Sequence, residues 1–251
     1  MTQFDTVKRQ VLNHPRNKYV TFVEDPHSYL RHWDDRPAET YQGITSLIGE
    51  YAPFDRMGIA YGYANKHNMT VKEVLKEWNQ STVIGHTIHK ELEEVGLTGK
   101  TSEMMEVNNV YNFLKTNNFR PIAFEWVVCD DNIKKATAID LVTYHVPTNR
   151  IVLMDYKTSK RIDYKPFKNK RGKPKMMEYP LTHLPSVNFY KYSLQLCIEI
   201  KWLKELYFKN NSDMKIAPYG YILHIKGDHF KAHRTINLEF DIDRLYQWEL
   251  N

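Results

Sequence analysis

The chain has 251 residues, of which 42% are apolar and 26% charged, and a net charge of +5. This is enough chain to bury a core as a single domain, with an ordinary globular composition. No apolar run approaches 18 residues and no signal-peptide pattern opens the chain, which excludes a spanning helix. The two cysteines, Cys129 and Cys197, form no CxxC pair, which excludes a Cys-rich zinc or iron–sulfur site. The expectation is a cytoplasmic protein with two free thiols and no membrane attachment.

In chain order, the N-terminus is polar. Tyr19–Val23 and Ser28–Trp33 flank Glu24-Asp25-Pro26-His27 and read as a hairpin. Residues 44–66 read as short helix and loop around Phe54-Asp55. Thr70 and Glu73 form a capping box that opens a helix with Val71, Val74, Leu75 and Trp78 on one face. A second helix is expected from Thr82 to Val95, with Ile84, Ile88, Leu92 and Val95 as its apolar stripe and Gly96 and Gly99 as its stop. A third runs from Ser102 to Asn117, with Val107, Val110, Tyr111 and Leu114 inward.

Strands follow at Ile122–Val128, Lys135–Tyr144 and Ile151–Lys157. A long helix is expected over Ser186–Lys209, strands at Tyr219–Lys226 and Phe230–Ile236 around a Gly227-Asp228 turn, and a short helix near Asp243–Trp248. The element order predicts an α/β fold with a mixed central β-sheet flanked by helices.

Charge is unevenly spread. Residues 157–175 carry nine Lys and Arg against one Asp, a local +8 on a body of −3. Such a segment suits a polyanionic partner; a solvated loop is the alternative.

The chemistry concentrates in Ile139-Asp140, the turn Val146-Pro147-Thr148-Asn149, and Ile151 through Lys157. With Pro147 and Thr148 as the central turn residues, Asp140 falls opposite Asp155. Asp155 and Lys157, two apart in a strand, share a face. Two carboxylates and an ammonium gathered on one sheet face need a compensating cation. A hard divalent ion such as Mg²⁺ fits carboxylate ligands and phosphate substrates, and the lysine can position or deprotonate a water. The alternative is a structural ion pair at a sheet edge. The other D/E-x-K strings, Asp213-Met214-Lys215 and Glu199-Ile200-Lys201, lie in a polar loop and a helix and are expected to be surface charges.

Gly85 to Glu93 (GHTIHKELE), then Asp140, then Asp155-Tyr156-Lys157-Thr158, then Tyr192 to Leu196 (YSLQL) resembles, in order and spacing, the RecB-like branch of the PD-(D/E)XK nucleases. That branch includes bacterial recombination nucleases, CRISPR-associated nucleases and the mitochondrial genome maintenance exonuclease. Phage-encoded members look most similar, because Ile44 to Leu47 with Phe54-Asp55 also resembles their N-terminal segment. The likeness covers about residues 40–200.

The resemblance implies a restriction-endonuclease-like sheet in a single nuclease domain, 1–251. Within it lie an N-terminal hairpin segment (1–40), a catalytic core (67–209) interrupted by a basic loop (158–180), and a C-terminal hairpin and helix (217–251). It implies Asp140, Asp155, His89 and the Tyr156 carbonyl as ligands of Mg²⁺ or Mn²⁺. Lys157 would assist the attacking water, Gln195 would orient Lys157 or the DNA backbone, and Glu125 would stand behind the ligands. Lys160, Arg161, Lys165, Lys168, Lys170 and Arg171 would track DNA phosphates. Three positions depart from the pattern: Thr137 replaces a glycine, His86 a threonine and Glu199 an aromatic residue.

By residues alone, His86, His89 and Glu93 are also consistent with a solvated helical face. Gln195 alone is consistent with a surface amide, and Phe189, Tyr190, Tyr192 and Trp202 with core packing, one or two of them with base stacking. The expected function is a divalent-metal-dependent DNA nuclease, an exonuclease or end-processing enzyme, in the host cytoplasm if phage-encoded. The alternatives are a non-catalytic nucleic-acid-binding protein of the same fold and a metal-dependent hydrolase of another class. No P-loop is present, so ATP-driven translocation would belong to a separate helicase, and a single-strand-binding partner is equally compatible.

Overall fold

The computed structural model describes residues 2–25, 28–168 and 171–251. Pro26 and His27 of the expected first turn lie outside the described residues, as does Lys170. The chain forms an α/β fold, a mixed eight-stranded sheet flanked by helices.

The N-terminal segment holds more than a hairpin. Helix α1 (Gln3–Leu12) comes first, opened by a Thr2–Asp5 capping box. Then come β1 (Val20–Val23), β2 (Ser28–Arg31) and β3 (Glu39–Gly43), a strand with no sequence-based expectation. Helices α2 (Ile44–Tyr51) and α3 (Arg56–His67) follow, the latter capped by Asp55.

The two helices expected between Thr70 and Val95 are one. Helix α4 (Val71–Thr98) runs 28 residues, about 42 Å. Ser81 and Thr82 do not cap a new helix. Their hydroxyls donate to the Glu77 and Trp78 carbonyls one turn back, which lets the helix continue. Gly96 does not stop it either: the helix ends at Gly99, and a Cβ on Gly96 would lie 2.0 Å from Phe124 Cζ. The first half of α4 packs on α3 through Ala60, Ala64 and Val74, the second on the sheet through Ile88 and Leu92. Between these, Asn79 to Ile84 are exposed, so Ile84 does not join the expected buried stripe.

Helix α5 (Met105–Thr116) buries Val107, Val110 and Leu114. Strands β4 (Phe119–Asp130), β5 (Lys135–His145) and β6 (Arg150–Lys157) form the sheet centre. Helix α6 (Asn188–Trp202) continues as a single wider turn to Tyr207. Strands β7 (Tyr221–Lys226) and β8 (His229–Arg234) and helix α7 (Glu239–Glu249) complete the chain.

The site is positioned by how β5 is shared. Strand β4 pairs antiparallel along all of it, from Asp130↔Lys135 to Phe119↔His145. Its other edge is divided: β3 pairs parallel with Lys135 and Ala136, and β6 pairs antiparallel from Leu141 to His145. Thr137 to Asp140 therefore line a fork between β3 and β6. The fork is partly satisfied by a side chain, since the Ala138 N–H donates to the Tyr29 hydroxyl at 3.1 Å. Strand β6 then pairs parallel with β7, and β7 antiparallel with β8.

Two cores sandwich the sheet. One lies under α1, α2, α6 and α7 and includes Ile139, Ile151, Leu153 and Ile222. The other lies under α4 and α5 and includes Leu141, Val152, Met154, Tyr156 and Leu223. Cys129 and Cys197 are free and buried. Among the described residues, no helix is long and apolar enough to cross a membrane.

Among its described residues, the basic segment is anchored to the body. Met177 within it, and Leu181 and Leu184 just beyond it, enter the first core. Its basic half is tied to the sheet by His224 Nε2 against the Ser159 carbonyl at 2.7 Å and by Tyr164 against His233.

Candidate metal centre

The expected β5–β6 register holds up to Leu141↔Met154, with the turn centred on Pro147 and Thr148. One step further the strands part. The Tyr156 N–H donates to Asp140 Oδ2 at 2.7 Å, so a carboxylate takes the place of a ladder partner. Tyr156 thus reaches the site through its N–H.

The simple alternation of a flat strand does not bring the acids together. Beyond the register shift that follows Pro121 on β4, alternation breaks at facing positions on two paired strands. On β5, Ile139 lies in the first core and Leu141, two residues on, in the second. On β4, Phe124 packs on the second core and Trp126 lies in the first. Phe124 pairs with Leu141 and Trp126 with Ile139, so Glu125 and Asp140 sit opposite each other at this slip. Glu125 accommodates it with φ +44°, a left-handed value that costs a non-glycine residue energy.

At the slip, α4 supplies His89. Its Nδ1 lies 3.7 Å from Glu125 Oε1 and 3.8 Å from Asp140 Oδ2, and its ring meets Tyr156 edge-on. Ligand atoms of His89, Glu125 and Asp140 all lie within 4.8 Å of one another. Burial disfavours charge on His89, but the Asp140 and Glu125 carboxylates outweigh it and raise its pKa. Burial likewise pushes the Asp140 carboxyl up, against the opposing pull of His89 and Lys157.

Asp155 and Lys157 continue the face of Ile151 and Leu153 and turn towards α6. Asp155 Oδ1 accepts from Lys157 Nζ at 2.7 Å and from Gln195 Nε2 at 2.9 Å. Its other oxygen, Oδ2, is buried and has no hydrogen-bond partner among the described residues. Burial raises the Asp155 carboxyl to about 6, with Lys157 pulling it down and Asp140 pushing it up. Lys157 also lies 4.8 Å over the Tyr192 ring, and burial is outweighed by Asp155 and Asp140, which raise its pKa.

Of these groups, His89, Tyr156, Lys157 and Tyr192 border an open cleft between α4 and the end of β6, which Ser81, Gly85, His86 and Thr158 also line. Gly85 lets the two elements approach: a Cβ there would lie 2.8 Å from Thr158 Oγ1. His86 is exposed and lines the cleft without joining the cluster.

The donor set fits a hard divalent cation. Two carboxylates and one imidazole converge; the expected ligand Asp155 does not join that group, and its buried Oδ2 lacks a hydrogen-bond partner among the described residues. Glu125 is a nearer member of the group than expected from sequence. Its signal there was a lone acid inside the apolar strand Ile122–Val128.

Glu199 corrects an expectation: it is fully buried on α6, not a surface charge. Burial raises its pKa well above the usual carboxylate range. The sequence signal was its place between Ile198 and Ile200, four residues from Gln195. Phe189 and Trp202 are core, as their default reading has it, and Gln195 is buried.

Of the expected phosphate-tracking residues, Lys160 reaches α3, its Nζ 3.3 Å from the Tyr63 hydroxyl. Arg161 pairs with Asp163 and lies over Phe167. Lys165, Lys168 and Arg171 are exposed. Comparison with protein-family models and with curated proteins yields no match to this chain.

Proposed function

We propose that the protein is a divalent-metal-dependent nuclease that hydrolyses DNA phosphodiesters, of the restriction-endonuclease-like, RecB-related kind that its motifs resemble. The observation that carries this reading is the convergence of His89, Glu125 and Asp140 at the strand fork, beside the Asp155–Lys157 pair and its unpartnered carboxylate oxygen. Such a set of acids is expensive to bury without a cation.

His89, Glu125, Asp140 and Asp155 would hold Mg²⁺ or Mn²⁺. When bound, the ion supplies Lewis acidity towards a phosphate oxygen and lowers the pKa of water. Lys157, at the cleft, carries hydrogen-bond donors suited to a water or a phosphate oxygen. Gln195 fixes the carboxylate that Lys157 also holds. The segment from Lys160 to Arg171 leaves the cleft directly after Thr158 and suits a polyanionic backbone.

The test is metal-dependent degradation of end-labelled DNA and of a closed circle, with Mg²⁺, Mn²⁺ or chelator. Asp155→Asn and Lys157→Ala should each reduce cleavage by about 100-fold or more while folding and DNA binding persist. Undiminished cleavage by both variants rejects this site. Salt-sensitive DNA binding by a wild-type protein that takes up no cation favours a non-catalytic binding protein instead.

A further inference from the structure

Thr137 and Glu199, two of the three positions that depart from the nuclease pattern, meet in the structure. Thr137 Oγ1 lies 3.3 Å from Glu199 Oε1, and both residues are buried. The same Glu199 oxygen lies 3.3 Å from Gln195 Nε2, and that nitrogen donates to Asp155 Oδ1 at 2.9 Å. A continuous hydrogen-bonded path therefore runs from β5, through α6, to β6. It spans the fork where backbone pairing between β5 and β6 has ended.

The path has a direction set by chemistry. A primary amide presents two donors on nitrogen and only acceptors on oxygen. Gln195 faces a carboxylate on one side and Glu199 on the other, so both neighbours favour the nitrogen. Rotating the amide by half a turn would aim its oxygen at Asp155 and forfeit both contacts. Glu199 and Asp155 together thus select one orientation, and Thr137 holds the Glu199 end. Thr137 faces a second acceptor, the Ala138 carbonyl, also at 3.3 Å. A hydroxyl has one proton to give. That proton lies within reach of both acceptors, Glu199 Oε1 and the Ala138 carbonyl, so the hydroxyl braces Glu199 from the β5 side.

We propose that Thr137 and Glu199 are a positioning pair that locks the Gln195 amide, so that Asp155 Oδ1 is saturated and Oδ2 is left as the oxygen offered to a divalent cation. The proposal rests on the cation-binding part of the functional reading and is independent of whether DNA is the substrate.

The experiment compares wild type, Glu199→Leu, Glu199→Gln, Thr137→Val and the double variant Thr137→Val/Glu199→Leu. Mn²⁺ affinity is read by electron paramagnetic resonance, and the Gln195 side-chain amide by NMR in the metal-free protein. Glu199→Leu should weaken Mn²⁺ binding about 10-fold and expose the Gln195 amide protons to solvent exchange, in a protein whose circular dichroism is unchanged. Glu199→Gln, which keeps an acceptor oxygen, should recover most of the affinity and the protection. Thr137→Val should lose affinity in the same direction, and its effect should vanish in a Glu199→Leu background, because it acts through Glu199.

Mn²⁺ affinity unchanged in folded Glu199→Leu overturns the proposal, as does a freely exchanging Gln195 amide in wild type. Should Glu199→Leu not fold, unchanged affinity in Thr137→Val overturns it equally. The two readings fail separately. Weakened Mn²⁺ binding in the variants of a wild type that cuts no DNA upholds the positioning pair and rejects the nuclease. Cleavage by a wild type whose Glu199→Leu variant binds Mn²⁺ normally does the reverse.

Discussion

Glu125 holds a conformation that its residue type resists, and it does so beside His89 and Asp140. Strain at such a position persists when the surroundings impose it and the side chain is needed where it points. Glu125→Gly would release about 1 kcal/mol of backbone strain and remove a carboxylate from the cluster. The metal-free melting temperature should rise while Mn²⁺ affinity falls about 10-fold; calorimetry and Mn²⁺ titration measure the two. A lower melting temperature with unaltered affinity would mean that Glu125 is structural. From sequence, this acid was visible only as a charge in an apolar strand. Its left-handed φ follows from the opposing slip on β5, a contact between strands that no local pattern encodes.

Among elements, two attachments shape the cleft. Helix α4 crosses the end of β6 at Gly85, where Thr158 Oγ1 occupies the space a methyl group would need. Gly85→Ala should destabilise the fold by about 1–3 kcal/mol, and Thr158→Ala should restore most of the loss, because the remaining Cβ would stand 3.9 Å away. Denaturant titration of the two single variants and the double variant checks this; simple additivity would refute it.

The second attachment joins the basic segment to β8 through Tyr164 and His233. Burial, with the Lys231 and His224 charges, holds the His233 pKa down at about 4. An unfolded histidine titrates near 6.5. Between these values the folded chain binds fewer protons than the unfolded one. Stability from this site is therefore complete above about 6.5 and is lost as pH falls towards 4. His233→Gln should flatten the decline in melting temperature between pH 7 and 4.5; a curve parallel to wild type would exclude His233 as its source. Helix boundaries behaved similarly: caps at Thr70 and Gly99 were local and legible, but Ser81 and Thr82 have two uses, and only packing at both ends of α4 selects the continuous helix.

For the whole molecule, charge separation is the relevant property. A local +8 adjoins a cleft on an otherwise slightly acidic body. If that segment contacts a nucleic-acid backbone, binding should fall steeply with salt. Replacing exposed Lys165 and Lys168 by alanine should then reduce the log–log salt slope by up to about 2 without altering single-turnover cleavage at saturation. Fluorescence anisotropy across a salt series measures the slope; an unchanged slope removes these lysines from the interface.

Hydrophobic period, capping boxes and turn residues act over a few positions. They were sufficient to place most helices and strands, the α/β class with its mixed sheet, and the β5–β6 register as far as Leu141↔Met154, one pair short of Asp140 and Asp155. Tertiary structure decided what depends on residues far apart in the chain. It divided one edge of β5 between β3 and β6, set Glu125 against Asp140 at a shared slip, buried Glu199 and joined it to Thr137. Short-range preferences are additive along the chain and can be read in order. A fork in a sheet and the pairing of two buried polar groups exist only once distant segments have packed, and each is determined by the groups it must satisfy there.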